Sequence, residues 1–286
     1  MKIGEQVSEK IFLLAATVSV VAAIAIFSFM LLLGLPIITA GHFIEVLTSP
    51  WAPDHGVYGI LPMIVGTMAI ATFSLILAFP LSLGCSILIA VLSAKRISRL
   101  VRKTVWFMTG IPTVVYGFVG VFLLVPIVRE LFGGGSGMCI LTAAALLAIL
   151  ISPTMILIFV DSFERVPRSY LTAVDALGGN RIQKLIHVIL PCSWRGILTG
   201  LVLAFGRAMG DTMISLMVAG NAVALPRSVL DSTRTLTAHI GLIIAADFDS
   251  LEFRTLFICG LILYLFSSIM VFMIRSLDSR AGSRAW

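Results

Sequence analysis

Two ionisable side chains stand inside a stretch that should carry none. Arg207 and Asp211 interrupt the run Gly196–Ala219, which is otherwise apolar, small or hydroxylated. A charge held in the middle of a membrane span costs several kcal/mol on insertion scales, so it faces a bundle interior or a water-filled cavity and needs a reason to be there. Arginine stays charged, and its planar fork of donors matches the oxygens of a phosphate-like oxyanion two at a time. The chemistry that Arg207 could do is therefore anion binding. On a continuous helix Asp211 would lie one turn away on the same face, where it could neutralise Arg207 in the empty site. Two other readings stay open. The pair could simply lock helices together, or Arg207 could find its carboxylate on another chain, because basic-before-acidic is the weaker order at this spacing.

The stretch from Leu171 to Met217 joins this charged span to a polar, basic half. There Ala173, Ala176, Leu177, Ile182, Leu185, Ile186 and Ile189 recur at helical spacing, with Arg181, Lys184 and His187 among them. Gly178-Gly179-Asn180 predicts a break into two short helices, and Leu190-Pro191 predicts the end of the polar half. Such a pair could lie on the membrane surface or dock a soluble partner. A second segment, Gly110–Gly117, places Pro112 among small residues inside an apolar run. Proline frees a carbonyl and glycine permits close backbone approach, so this segment could line a cavity or pack tightly.

Other chemistries are excluded or demoted. Gly133–Gly137 is glycine-rich, but no Gly-Lys-Ser/Thr follows it, and no phosphate-cradling loop of that type occurs in the chain, so any ATP is hydrolysed elsewhere. The four histidines, His42, His55, His187 and His239, fall in loops or interfacial segments, so a haem held by facing histidines is not expected. Cys85, Cys139, Cys192 and Cys259 are assigned to spans or to the inner side and are expected as free thiols, with no metal-ligand spacing.

The elements that must position these residues follow from composition. Hydrophobic residues make up 59% of the 286 and charged residues 12%, against about a quarter charged in a soluble domain. The fold class is all-α: a polytopic integral membrane protein with six transmembrane helices, since only a helix satisfies its own backbone in lipid. The runs are Ile11–Ile38, Met63–Ser93, Val105–Val128, Met138–Val160, Gly196–Ala219 and Thr255–Ile274. The first is too long for a signal h-region and is expected to remain as an anchor. The second is expected to begin in an interfacial stretch near Tyr58 and Pro62 and to bend near Pro80.

Basic residues set the orientation. With the N-terminus inside, Lys2, Lys10, Lys95, Arg96, Arg99, Arg102, Lys103, Arg165, Arg168, Arg181, Lys184, Arg195, Arg275, Arg280 and Arg284 fall on one side, and only Arg129, Arg227, Arg234 and Arg254 on the other. Both termini are thus expected in the cytoplasm. The net charge of +6 is a topology signal, with no nucleic acid implied, and the basic loop Ala94–Thr104 chiefly anchors that topology. Outside, Thr39–Val57 reads as a cap, with Trp51 at the headgroup interface beside Pro50 and Pro53. The last outer loop, Asn221–Arg254, turns acidic at Asp247, Asp249 and Glu252. Its apolar core Thr235–Ala246 is too short to cross and reads as an interfacial or re-entrant helix.

These residues carry a resemblance. Ala173-Val174-Asp175-Ala176-Leu177-Gly178, nine further residues, then Val188-Ile189-Leu190-Pro191, resembles the EAA loop of type I ABC importer permeases. That loop implies a coupling helix seated in a cleft of an ATP-binding subunit, here through Thr172, Ala173, Asp175, Ala176, Leu177, Gly178, Leu190 and Pro191. Thr172 stands where the family usually has Glu and Val174 where it has Ala, so the chain would dock with one charge fewer or use Asp175. Gly110–Gly117 is similar to the GIPSVVYG segment of phosphate-specific importer permeases, and Gly206–Met213 to their GRA(I/L)GETM segment. Residues Trp51, Pro53, Tyr58–Pro62, Gly66-Thr67 and Met217–Asn221 resemble the C-type rather than the A-type subunit.

The resemblance implies a translocation path lined by Arg207, Asp211, Thr212, Pro112, Thr113 and Tyr116. It also implies a heterodimer with an A-type phosphate permease, two ATP-binding subunits, a periplasmic phosphate-binding protein, and residence in a bacterial inner membrane. No cofactor is expected on this chain, ATP and Mg belonging to the partner ATPase. The expected organisation is an N-terminal helix and periplasmic loop (1–57), a permease core (58–276) with its coupling segment (161–195), and a cytoplasmic tail (277–286). The function implied is inward phosphate transport driven by ATP hydrolysed on another subunit. A permease for molybdate, tungstate or sulfate, and a membrane scaffold relaying phosphate status to a signalling partner, are the alternatives.

Overall fold

The structure, a computed structural model, describes residues 2–39, 41, 43–247 and 250–282, with side chains described over 8–37, 39, 41, 43–247 and 250–276. His42, Asp249 and Arg284, and the side chains of Lys2 and Arg280, lie outside the described residues.

Helix α1 (Lys2–Thr39) is followed by α2 (Phe43–Thr48) and a two-stranded hairpin, β1 (Trp51–Ala52) and β2 (Val57–Tyr58). Then come α3 (Leu61–Ile87), α4 (Lys95–Thr109), α5 (Thr113–Val119), α6 (Val125–Leu131) and α7 (Ile140–Glu164). The coupling region forms α8 (Arg168–Ala176) and α9 (Arg181–Lys184), and α10 (Leu190–Gly210), α11 (Met213–Val218), α12 (Leu236–Ile243) and α13 (Leu251–Gly282) complete the described chain.

Six helical stretches among the described residues are long and apolar enough to cross a membrane: Ser8–Ile37, Leu61–Leu92, Thr113–Leu131, Ile140–Glu164, Arg181–Gly210 and Leu251–Ser276. Two spans differ most from the sequence-based expectation. The third span begins at Thr113 rather than Val105, because Gly110-Ile111-Pro112 ends α4 and Pro112 is the N-cap of α5. The fifth begins at Arg181 and ends at Gly210, so Leu190-Pro191 does not terminate a helix. A π turn over Leu185–Ile189 precedes that proline, and Leu190 N–H reaches back to Leu185 O. Widening the turn moves the carbonyl that the proline ring would strike, so the helix passes through. The same device, a π turn over Gly120–Leu124, precedes Pro126 in the third span. Pro80 likewise sits inside an unbroken α3.

The core centres on α7, whose side chains Leu147, Ile151, Met155 and Phe159 are fully enclosed between α3 and α10. Close approach there requires glycine. A Cβ on Gly196 would stand 1.8 Å from Ser162 Oγ, and one on Gly200 would stand 2.7 Å from the Phe159 ring. Ser193 Oγ donates to Ser162 O at 3.0 Å, pinning α10 to α7 at the same level. Small residues at a helix contact are how spans associate where burial in lipid supplies no driving force.

At the other end of the bundle, α12 is buried rather than laid on a surface. Thr235 Oγ1 caps it by accepting from Ala238 N at 3.1 Å, and Leu236 N donates to Thr67 Oγ1 on α3. Trp51, expected at the headgroup interface, is only 8% exposed. The hairpin folds it over α12, edge-on to His239 with ring centroids 4.5 Å apart.

Neither ring nitrogen of His239 has a hydrogen-bond partner among the described residues, and burial, with Arg234 nearby, pushes its pKa from 6.5 down to about 3. The folded protein therefore keeps His239 neutral while the unfolded chain takes up a proton below about 6.5, so stability falls as pH falls through this window. His239→Phe is expected to hold or raise the melting temperature at neutral pH and to flatten its decline in acid. An unchanged acid slope in purified protein would contradict the assignment.

Candidate functional site

Arg207 lies in the last turn of α10, where a cation is favoured by the unpaired carbonyls of a helix C-terminus. The side chain is exposed, and its Nη1 donates to Thr154 Oγ1 on α7 at 2.7 Å. Sequence reasoning missed Thr154. The available signal was a hydroxyl one residue past Pro153, in the middle of an otherwise apolar span. At the end of the helix, a Cβ added at Gly210 would meet no atom within 4 Å.

Asp211 does not occupy the position that a continuous helix would give it. The chain leaves the helix there, with φ −74° and ψ 125°. The carboxylate turns to the backbone instead, Oδ2 accepting from Ile214 N at 2.8 Å, so Asp211 caps the first turn of α11. Thr237 Oγ1 donates to Asp211 O at 2.9 Å, tying this corner to α12. Asp211 is 9% exposed, and no carboxylate among the described residues forms an ion pair with Arg207. The expected one-turn Arg–Asp pair is therefore absent from this structure, because the helix on which it depended ends between the two residues.

The structure brings the Gly110–Gly117 segment against the Met217–Asn221 segment. Gly117 on α5 lies against Met217 on α11, whose sulfur would be 2.6 Å from an added Cβ. Tyr116 OH reaches across the Gly110–Pro112 break to donate to Met108 O at 3.2 Å. Pro112 is exposed and Thr113 half-buried at this break. Thr212 is half-buried at the start of α11 and accepts from Leu216 N through its carbonyl. Arg207 and Thr154 thus meet between α10 and α7, and Tyr116 spans the 110–112 break beside α5.

The coupling residues form a separate unit. Thr172, Ala173, Asp175 and Ala176 lie on α8, whose end is shaped by Gly178 at φ +75°. Asn180 starts α9 with a capping box, accepting from Gln183 N while its own N–H donates to Gln183 Oε1. Asp175 forms an ion pair with Lys184 across this turn, so its charge is engaged within the segment. Leu177, at the tip, is 88% exposed, and Tyr170, Ile182 and Ile186 are also exposed. Arg181 Nη1 donates to Leu92 O at the end of the second span. Leu190 and Pro191 lie inside the continuous helix that runs from α9 through the π turn into α10. At 1.5 Å rise per residue, that rod carries the chain roughly 25 Å from Leu190 to Arg207. All four cysteines are free thiols, and no metal-ligating cluster occurs among the described residues.

Comparison with known proteins follows the same outline. Residues 82–283 match the family described as binding-protein-dependent transport system inner membrane component. The chain is 32% identical to the probable ABC transporter permease protein YqgH of Bacillus subtilis (strain 168), over 93% of its own length and 88% of that protein's. It is 30% identical to the phosphate transport system permease protein PstC of Pasteurella multocida (strain Pm70), covering 81% of this chain and 78% of that one. Its fold is shared with a chain of a bacterial alginate ABC transporter solved with a periplasmic protein bound to an alginate pentasaccharide, at a TM-score of 0.64, 12% identity and 97% coverage of both.

If Asp211 serves as a cap, its charge is dispensable and its acceptor is not. Asp211→Asn should melt within a degree or two of the parent, whereas Asp211→Leu should lose about 1 kcal/mol of stability. Equal losses in both variants would return Asp211 to the role of a counter-ion.

Proposed function

The chain belongs to the binding-protein-dependent transport system inner membrane component family, and on that premise we propose that it is the membrane-spanning subunit of an ATP-driven importer that carries inorganic phosphate into the cytoplasm. It is a transport subunit and not an enzyme, and ATP is hydrolysed on a separate subunit. In this reading its partners are an A-type phosphate permease, two ATP-binding subunits that carry the ATP and Mg, and a periplasmic phosphate-binding protein. The asymmetry of basic residues supports placing both termini in the cytoplasm of a bacterial cell, with the hairpin and α12 on the periplasmic side.

The observation that carries the proposal is Arg207, a permanent cation at the end of a membrane-spanning helix, held by a neutral hydroxyl and open on one side. One guanidinium nitrogen is committed to Thr154. The remaining donors are left to two oxygens of a passing phosphate, which arrives with the charge that the site lacks. A hydroxyl holds the fork in place without neutralising it, as a carboxylate would. Tyr116 and Thr212 supply further polar atoms on the same path, and the Gly110–Pro112 break lets α5 turn relative to α4. At the other end of the rod, the exposed tip around Leu177 suits a cleft in the ATP-binding subunit, with Thr172, Ala173 and Ala176 on the helix that presents it. Closure of the nucleotide sites would then push on α9, and the continuous helix would move Arg207 with it.

Arg207→Ala should abolish ATP-dependent phosphate uptake in reconstituted vesicles while assembly with the partner subunits is retained. Arg207→Lys should restore only part of it, because an ammonium cannot replace the fork. Thr154→Val should lower uptake by about tenfold, the size of one hydrogen bond to a charged group. Normal uptake in Arg207→Ala with assembly confirmed would defeat the proposal.

A further inference from the structure

Helix α4 has a surface that the transport reading leaves without a role. One side of it is turned into the protein. Val105 is buried with Ile89, Ile156 and Val160, Ser98 Oγ donates to Ile89 O at 2.7 Å, and the Arg102 guanidinium engages both carboxylate oxygens of Glu164. At about 100° per residue the remaining positions divide into two neighbouring arcs. Lys95, Arg96, Arg99 and Lys103, with Trp106, make up one, and Ile97, Leu100 and Phe107 make up the other. All of these side chains are exposed, Leu100 at 67% and Phe107 at 74%. The helix contains no acidic residue, and among the described residues none of the four exposed cations has an ion-pair partner.

A helix with a basic arc beside an apolar one fits the boundary between headgroups and acyl chains. Long basic side chains keep their charge at the headgroups while their stems cover apolar surface. We propose that α4 is a binding site for anionic phospholipid, with phosphodiester headgroups held by Lys95, Arg96, Arg99 and Lys103 and acyl chains lying against Ile97, Leu100 and Phe107. Charge complementarity selects the anionic class. The apolar arc, contiguous with the basic one on a helix that joins two spans, selects a lipid over a soluble acidic protein. A topology signal needs basic residues on one side of the membrane but does not require their segregation onto one arc of an ordered helix.

The site adjoins the coupling machinery. Ser98 holds the π turn Leu88–Leu92 at Ile89, and Leu92 O receives Arg181 from α9. Lipid bound along α4 stiffens the seat on which the coupling segment rests. This inference does not depend on which anion is transported.

The test uses the full-length chain assembled with its partner subunits in nanodiscs of phosphatidylcholine mixed with phosphatidylglycerol. Lipids retained after mild detergent extraction are counted by mass spectrometry. Each cation near an anionic surface gives roughly a fivefold preference, so several-fold enrichment of phosphatidylglycerol over the starting ratio is expected. That enrichment should fall to the starting ratio in the combined variant Lys95→Gln, Arg96→Gln, Arg99→Gln, Lys103→Gln, which leaves the Arg102–Glu164 pair intact. It should also fall in the unmutated protein as salt is raised, and this arm decides the matter if the combined variant fails to assemble. Retention of the two lipids at the starting ratio by the unmutated assembly, as when a protein partner covers α4, overturns the proposal. Enrichment that survives high salt does the same.

Discussion

A guanidinium can be held at the end of a membrane span only if something offsets the water it has given up. In this protein the side chain stays exposed, and one of its nitrogens donates to a neutral hydroxyl, Thr154 Oγ1, at 2.7 Å. The choice has a physical consequence. A carboxylate in that place would neutralise the arginine and compete with any arriving anion. A hydroxyl orients the fork without itself neutralising it, which is what the proposed anion site requires. Asp211, the nearest acid in sequence, has its carboxylate turned away to cap α11.

The rest of the bundle sets the distance between that hydroxyl and that guanidinium. Thr154 and Arg207 belong to different helices, and α7 and α10 are brought within side-chain reach by Gly196 and Gly200, where a Cβ on either would strike Ser162 or Phe159. Ser193 and Ser162 fix their register. The π turn before Pro191 keeps the fifth span continuous from the coupling segment to Arg207, so displacement at one end is not absorbed by a break along the way. The path from α4 to α5 is instead interrupted at Gly110-Ile111-Pro112, a gap that Tyr116 spans with its hydroxyl.

Much of this was legible in the sequence. Six apolar runs are a consequence of backbone satisfaction in lipid and appear as six crossing helices. The break at Gly178–Asn180 was visible because Gly178 adopts a positive φ and Asn180 can cap. What misled was proline. Pro112 and Pro191 look alike as letters, yet one ends a helix and the other is carried through by a widened turn, and only the surrounding hydrogen bonds separate them. The Arg207–Asp211 spacing misled for a related reason: four residues make one turn only if the helix persists, and Gly210 marks its end. Thr154 was easily passed over as a site residue because its partner is far off in the chain, and a threonine in a span can bond its own helix. The split of α4 from the third span was hidden by the apolar residues Val105–Met108, whose hydrophobicity serves a packed helix face as well as a crossing.

The central claim is that the side chain at position 207 faces an aqueous path rather than lipid or a closed helix interface. The direct measurement is labelling of Arg207→Cys, in a background with Cys85, Cys139, Cys192 and Cys259 replaced by serine, using a membrane-impermeant charged thiol reagent on the assembled transporter. The assembly is followed with and without a trapped nucleotide state. The account predicts labelling in at least one of the two states, with the rate changing between them. No labelling in either state, alongside normal labelling of a control cysteine in the exposed coupling tip at Leu177, would contradict it.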